Sequence, residues 1–110
     1  MDLNTIDNSP AEKGVSLIIK DTEGNDTDIK ITVIGMKSNK AQKLFLANKS
    51  EDSDLKLSAL LTIDWENILL NGKEIKYSHD EAIKLYENYP FIATQVAEFI
   101  LNEQNFLKKN

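Results

Sequence analysis

The spacing of hydrophobic and polar residues changes several times along this chain, and each change predicts an element. Residues 1–14 are polar, contain Pro10 and Gly14 and show no periodicity, which reads as a loosely held N-terminal arm. From Val15 the period is two. Val15, Leu17 and Ile19 alternate with Ser16 and Lys20, and Ile29, Ile31 and Val33 alternate with Lys30 and Thr32. Two such runs around the polar connection from Asp21 to Asp28 predict an antiparallel hairpin with one buried face. Ile18 and Ile34 fall on the other face, so partial cover is expected there too. Gly35 then ends the second strand.

Helical spacing follows. Ser38 is placed to cap a helix over about 39–49 with the stripe Ala41, Leu44, Phe45 and Ala47. The run from Lys49 to Asp54 breaks it. Leu55, Ala59, Leu60 and Ile63 mark a second helix, with Trp65 just beyond its end. Ile68, Leu69 and Leu70 precede Asn71-Gly72, and Ile75 and Tyr77 follow; Asn-Gly between apolar runs signals a tight hairpin because both residues tolerate positive φ. Ser78 and Glu81 form a capping box opening a helix that carries Ala82, Ile83, Leu85 and Tyr86. Tyr89-Pro90 ends that helix, and Pro90 suits the first turn of a last one. Its stripe is Ile92, Val96, Phe99, Ile100 and Leu107, closed by Lys108 and Lys109. The pattern predicts one α+β domain over 15–110: an N-terminal antiparallel β-hairpin unit, then about four helices, with a short Asn-Gly hairpin between the second and third.

Composition narrows the chemistry. A chain of 110 residues with 41% hydrophobic and 28% charged positions fits one soluble globular domain. There is no cysteine, which removes disulfides, thiolate metal sites and cysteine nucleophiles. The formal charge is −5, from 18 acidic side chains against 13 basic ones, all of them lysine. Without the guanidinium fork and with an acidic balance, nucleic acid is not an expected partner. No apolar run approaches the ~20 residues of a membrane span, and no secretory signal is legible, so a reducing cytoplasm is the expected compartment.

Catalytic and metal chemistry find little support. The acidic stretch from Asp21 to Asp28 resembles a calcium loop only in composition: counted from Asp21, glycine stands fourth and Thr32 twelfth, where an EF-hand needs glycine sixth and glutamate twelfth. His79, the only histidine, lies at a helix start beside Ser78, whose hydroxyl is better used as the cap. No phosphate-cradling glycine pattern occurs. The expectation is a non-enzyme with no cofactor and no metal. The aromatics are more suggestive. Trp65 reads as a core anchor or as a contact residue. Phe91 and Phe106 flank the stripe of the last helix, widening its apolar face into either a partner groove or simple end packing.

Taken in order, these residues resemble a known family. The hairpin runs through D-x-x-G-N-D-T-D-I-K-I-T-V-I-G to Ser38; W-E-N-I-L-L-N-G-K-E-I spans Trp65 to Ile75; Ser78 and Glu81 open a helix; L-Y-E-N-Y-P-F-I-A-T-Q-V-A-E-F-I runs from Leu85 to Ile100 and closes on Asn105-Phe106. This set, over roughly residues 15–107, is similar to the tail assembly chaperones of long-tailed bacteriophages and prophages. Met36-Lys37 departs from the pattern, since relatives tend to carry an acidic residue just before the serine. The resemblance implies a non-enzymatic assembly factor of the host bacterial cytoplasm. Such a protein coats the tape-measure protein, keeps it soluble while tube subunits polymerise, tends to form homo-oligomers, and is absent from the mature virion. The major tail protein is a further expected partner; nucleic acid and membrane are not. Candidate partner-binding residues are Trp65, Phe91, Gln95, Phe99, Phe106 and Leu107. Two alternatives stay open: a small structural tail protein (tube, connector or completion protein), and a bacterial adaptor or binding domain.

Overall fold

The computed structural model describes residues 6–7, 9–47 and 54–109, with the backbone alone at 6, 7, 54, 55, 108 and 109. In chain order the elements are β1 (Ile6–Asp7), α1 (Ser9–Lys13), β2 (Val15–Lys20), β3 (Asp26–Val33), α2 (Asn39–Ala47), α3 (Asp54–Leu61) and β4 (Thr62–Glu66). Then come β5 (Leu69–Leu70), β6 (Lys73–Glu74), α4 (His79–Asn88), α5 (Pro90–Leu101), a 3₁₀ turn (Glu103–Phe106) and β7 (Lys108–Lys109). The fold is α+β, as the periodicities predict.

The alternating runs build the sheet. β2 and β3 pair antiparallel with Leu17 opposite Ile31 and Val15 opposite Val33. Because side chains alternate between faces, this register puts Leu17, Ile19, Ile31 and Val33 on one side, where all are buried. Helices α3, α4 and α5 pack on one another, and α5 also meets β2. The buried residues Ile92, Val96 and Ile100 of α5 recur every four positions, the spacing of one helix face. Ile34 is buried just past the strand and donates its N–H to the Leu61 carbonyl, whereas Ile18 stays exposed on the opposite face.

The structure corrects the expected sequence of elements in three places. The second helix stops at Leu61, and Thr62–Glu66 forms a third strand paired with β3, Trp65 opposite Ile31. Thr62, Ile63 and Trp65 all favour extended backbone, and the open side of β3 supplies the hydrogen-bond ladder that decides the matter. The last helix stops at Leu101 rather than running on to Leu107. Asn102 leaves the helical conformation, its side-chain oxygen accepts the Gln104 N–H at 3.2 Å, and the chain turns so that Phe106 points inward. The backbone of 108 and 109 is a strand paired with Asp7 and Ile6, not a helix end.

The third correction concerns the arm. Residues 9–13 are helical, with Ala11 buried and Gly14 at φ +101° closing the turn, its N–H donating to the Pro10 carbonyl at 2.9 Å. The Glu12 carboxylate accepts from the Asn39 and Lys40 amides at 2.6 and 3.2 Å. Ser38 Oγ accepts from Ala41 N at 3.0 Å, the expected cap. All of the first three amides of α2 are thus satisfied, two of them by a residue from the presumed loose arm. The expected break from Lys49 to Asp54 lies outside the described residues apart from the Asp54 backbone.

The other expected caps and turns are present. Ser78 Oγ accepts the Glu81 N–H at 3.1 Å, and Pro90 starts α5. Asn71 and Gly72 have φ of 54° and 79° in the β5–β6 turn. A buried polar chain ties three elements together. Thr62 Oγ1 donates to the Ser58 carbonyl at 2.8 Å, so Tyr86 Oη, 2.6 Å away, donates to Thr62 Oγ1, while Tyr77 Oη donates to the Thr62 carbonyl at 2.6 Å. Burial pushes the Tyr86 hydroxyl well above the usual phenol range. Tyr77 is also raised, chiefly by burial and further by the Asp64 charge.

Candidate functional site

Where α5 ends, the chain leaves an apolar groove open. Its floor is Ala11 of α1, Gly35 and Ile100; its walls are Met36, Leu101, Phe106 and Leu107; its volume is about 360 Å³. Each wall has a local cause. The break at Asn102 folds Phe106 back under α5, where its ring meets Phe99 edge-on at 5.7 Å, and Asn105 Nδ2 holds the turn by donating to the Phe99 carbonyl at 2.9 Å. Leu107 emerges beyond it, 45% exposed. Leu101, the last helical residue, is 69% exposed. Met36 follows the close contact of the Gly35 N–H with the Ala11 carbonyl at 2.9 Å. A smaller recess of about 120 Å³ adjoins the groove, sharing Met36, Ile100 and Leu101 and extending it to Leu57 and Ala97. Lys37 and Glu103, an ion pair at 2.6 Å between exposed side chains, form the charged rim.

This arrangement can hold an apolar side chain or a helix face, since methionine adapts to irregular partners and exposed leucines lose contact with water on docking. Among the described residues no three His, Asp or Glu side chains gather as a metal site. Asp21 Oδ1 accepts from the amides of Glu23 and Asn25 at 2.9 and 3.0 Å, so the acidic loop folds on itself as polar turn chemistry predicts.

The six candidate contact residues do not form one surface. Phe106 and Leu107 belong to the groove, and Phe99 backs it through the Phe106 ring. Phe106 is 4% exposed, so it is a structural wall rather than the free edge of a helix. Phe91 is exposed at the opposite end of α5. Gln95 is occupied within the chain: its Oε1 accepts from Lys20 N at 2.7 Å and its Nε2 donates to Lys20 O at 2.9 Å. Trp65, 6% exposed, is a core residue. Its Nε1–H donates to the Ile75 carbonyl at 2.8 Å and its ring meets Tyr77 edge-on at 5.3 Å. Sequence reasoning missed Leu101 and Met36. Leu101 follows Ile100 directly and so falls outside the α5 stripe, an available signal; Met36 offered none, because only tertiary packing brings it beside α5.

No protein-family model, curated protein or solved structure matches this chain. Among the described residues no helix is long and apolar enough to cross a membrane.

Proposed function

We propose that this chain is a non-enzymatic tail assembly chaperone of a long-tailed bacteriophage or prophage, working in the host bacterial cytoplasm. In this reading the groove at the end of α5 lies along apolar helical segments of the tape-measure protein. The acidic remainder of the domain faces water and keeps the complex soluble until tube subunits enclose the client. The observation that carries the reading is the pair of adjoining apolar recesses, one lined by Leu107, Phe106, Leu101 and Met36 and the next by Met36, Leu101 and Leu57. The sequence resemblance supplies the client.

Co-expression with the tape-measure protein of the neighbouring gene tests the proposal. The expected result is copurification and a larger soluble fraction of the client. Leu101→Asp combined with Leu107→Asp should leave the fold intact, since both side chains are exposed, and abolish the copurification. A client that is equally soluble without this chain, or that copurifies undiminished with the double variant, would count against the reading. Stoichiometric recovery of the protein from purified virions would favour a structural tail component instead.

A further inference from the structure

β2 is an edge strand, since the sheet order is β2-β3-β4. Its backbone phase is fixed by two observations at its C-terminal end. The Ile19 carbonyl faces β3, where it accepts from Thr27 Oγ1 at 2.7 Å. The Lys20 N–H and carbonyl face away from β3 and bond the Gln95 carboxamide. That carboxamide presents one acceptor and one donor to one residue, as a peptide group of a neighbouring strand would. The register shifts between Ile18 and Lys20, but the extra residues lie on β3, where 27–29 stand opposite Ile19, so β2 keeps its alternation and the N–H and C=O of Ser16 and Ile18 point outward with those of Lys20. Gln95 closes the edge at Lys20, and at the other end the extended backbone stops at Val15, where Gly14 takes φ +101°. Between them, no other described residue pairs with the three residues from Ser16 to Ile18, which lie beside an open groove of about 530 Å³ walled by Gln95, Glu98 and Phe99. Ile18, at one end of that segment, is 46% exposed.

We infer that this edge pairs with the same edge of a second copy, antiparallel and two-fold about Leu17. In that register Ser16 faces Ile18 of the partner and Ile18 faces Ser16, so each exchanges both backbone bonds and the two pairs make four hydrogen bonds. Leu17 lies opposite itself in the non-hydrogen-bonded position. Two properties select a second copy over a foreign strand. The open segment is bounded by Gln95 at Lys20 and by the end of extended backbone at Gly14, so it is symmetric about Leu17 and offers a longer strand nothing further to pair with. The two-fold is the closed symmetry that one self-complementary edge generates. The inference does not depend on the groove at the other end of α5.

Sedimentation over a concentration series up to ~1 mM chain reads the association directly. The expected result is a monomer–dimer equilibrium. Ser16→Pro removes an outward N–H that no ladder bond uses, a change edge strands tolerate, and should weaken the dimer by about tenfold or more. Ile18→Lys leaves the backbone unchanged, places like charges across the two-fold, and should do the same; it reads the interface even if the proline variant fails to fold. Since the chain has no cysteine, Ile18→Cys places single thiols at diagonal positions roughly 7–8 Å apart, within reach of a short bis-maleimide. Asn25→Cys at the loop should cross-link far less. A strictly monomeric protein at ~1 mM overturns the inference. So does a dimer indifferent to both edge substitutions, a dimer abolished by Leu101→Asp, or cross-linking no better at 18 than at 25.

Discussion

Glu12→Ala is the substitution on which the sequence pattern and the structure disagree most. If residues 1–14 formed an untethered arm, the change would be a surface event within about 0.5 kcal/mol of wild type. In the structure the carboxylate bridges two free amides at the start of α2, at 2.6 and 3.2 Å, from a side chain that is half-buried. A side-chain cap is worth about 1 kcal/mol. A negative charge at a helix N-terminus adds about 0.3–1 kcal/mol, less where water screens it. Ordering a glutamate opposes both with up to ~1.5–2 kcal/mol of rotamer entropy, though part of that is already lost through packing of α1. The net expectation is a loss of about 0.5–1.5 kcal/mol, or roughly 2–12 °C in Tm for a domain of this size. Urea unfolding followed by the single tryptophan, which is buried, measures it. The midpoint should fall with the slope unchanged. Lys13→Ala, one residue away and exposed, is the control. Hydrogen exchange at Asn39 and Lys40 should accelerate in the alanine variant. A stability within 0.3 kcal/mol of the Lys13 control, with those amides unaffected, would mean that α1 is not docked on α2.

Two further outcomes follow from the interior. Trp65→Ala should cost about 3–5 kcal/mol in a denaturant melt, because it empties a buried site and removes the hydrogen bond to Ile75; a loss below 1 kcal/mol would return this side chain to the contact surface. The raised Tyr86 hydroxyl makes stability pH-dependent on the alkaline side. The folded state holds that proton more tightly than the unfolded state, so its contribution is full below about pH 10 and declines as pH rises above the unfolded phenol value. Melts between pH 8 and 11 should show that decline, and Tyr86→Phe should reduce it, leaving the smaller share that belongs to Tyr77, whose hydroxyl is also raised. A wild-type profile flat to pH 11 would contradict the buried phenol.

The parts of this fold that the sequence makes legible are those set by neighbouring residues. The alternation of Val15, Leu17 and Ile19, the Ser38 and Ser78 caps, the Asn71-Gly72 turn and Pro90 all act within a few positions of themselves, and all occur as read. What was not legible depends on distant partners. Thr62–Glu66 is a strand because β3 lies beside it, and Phe106 is buried because Asn102 turns the chain back. α1 is an intermediate case. Ser9-Pro10 and Gly14 punctuate one helical turn in the sequence itself. A single turn has no stability of its own, however, and forms only where Ala11 and Glu12 find partners 24 and more residues away. The candidate site belongs to the same class. Leu101, Met36 and Leu107 become one surface only through α5 packing against the segment after β3.

α5 links the two surfaces. Gln95 in its first half closes the β2 edge, and Leu101 at its end opens the groove. Under the proposed function a single groove is a weak binder. The few side chains it leaves exposed gain about 1.5–3 kcal/mol each on complete burial, against association costs of roughly 4–15 kcal/mol. Pairing through β2 joins two grooves in one rigid body, and the second contact to a repetitive helical client then becomes intramolecular. A coat built this way is firm while many grooves are filled, yet each copy leaves when a competing surface takes its own short stretch of client. Variants that break only the β2 pairing should therefore reduce client solubility more than they reduce the affinity of one copy for one isolated client helix. Equal losses in the two measurements would separate the dimer from the sheathing mechanism.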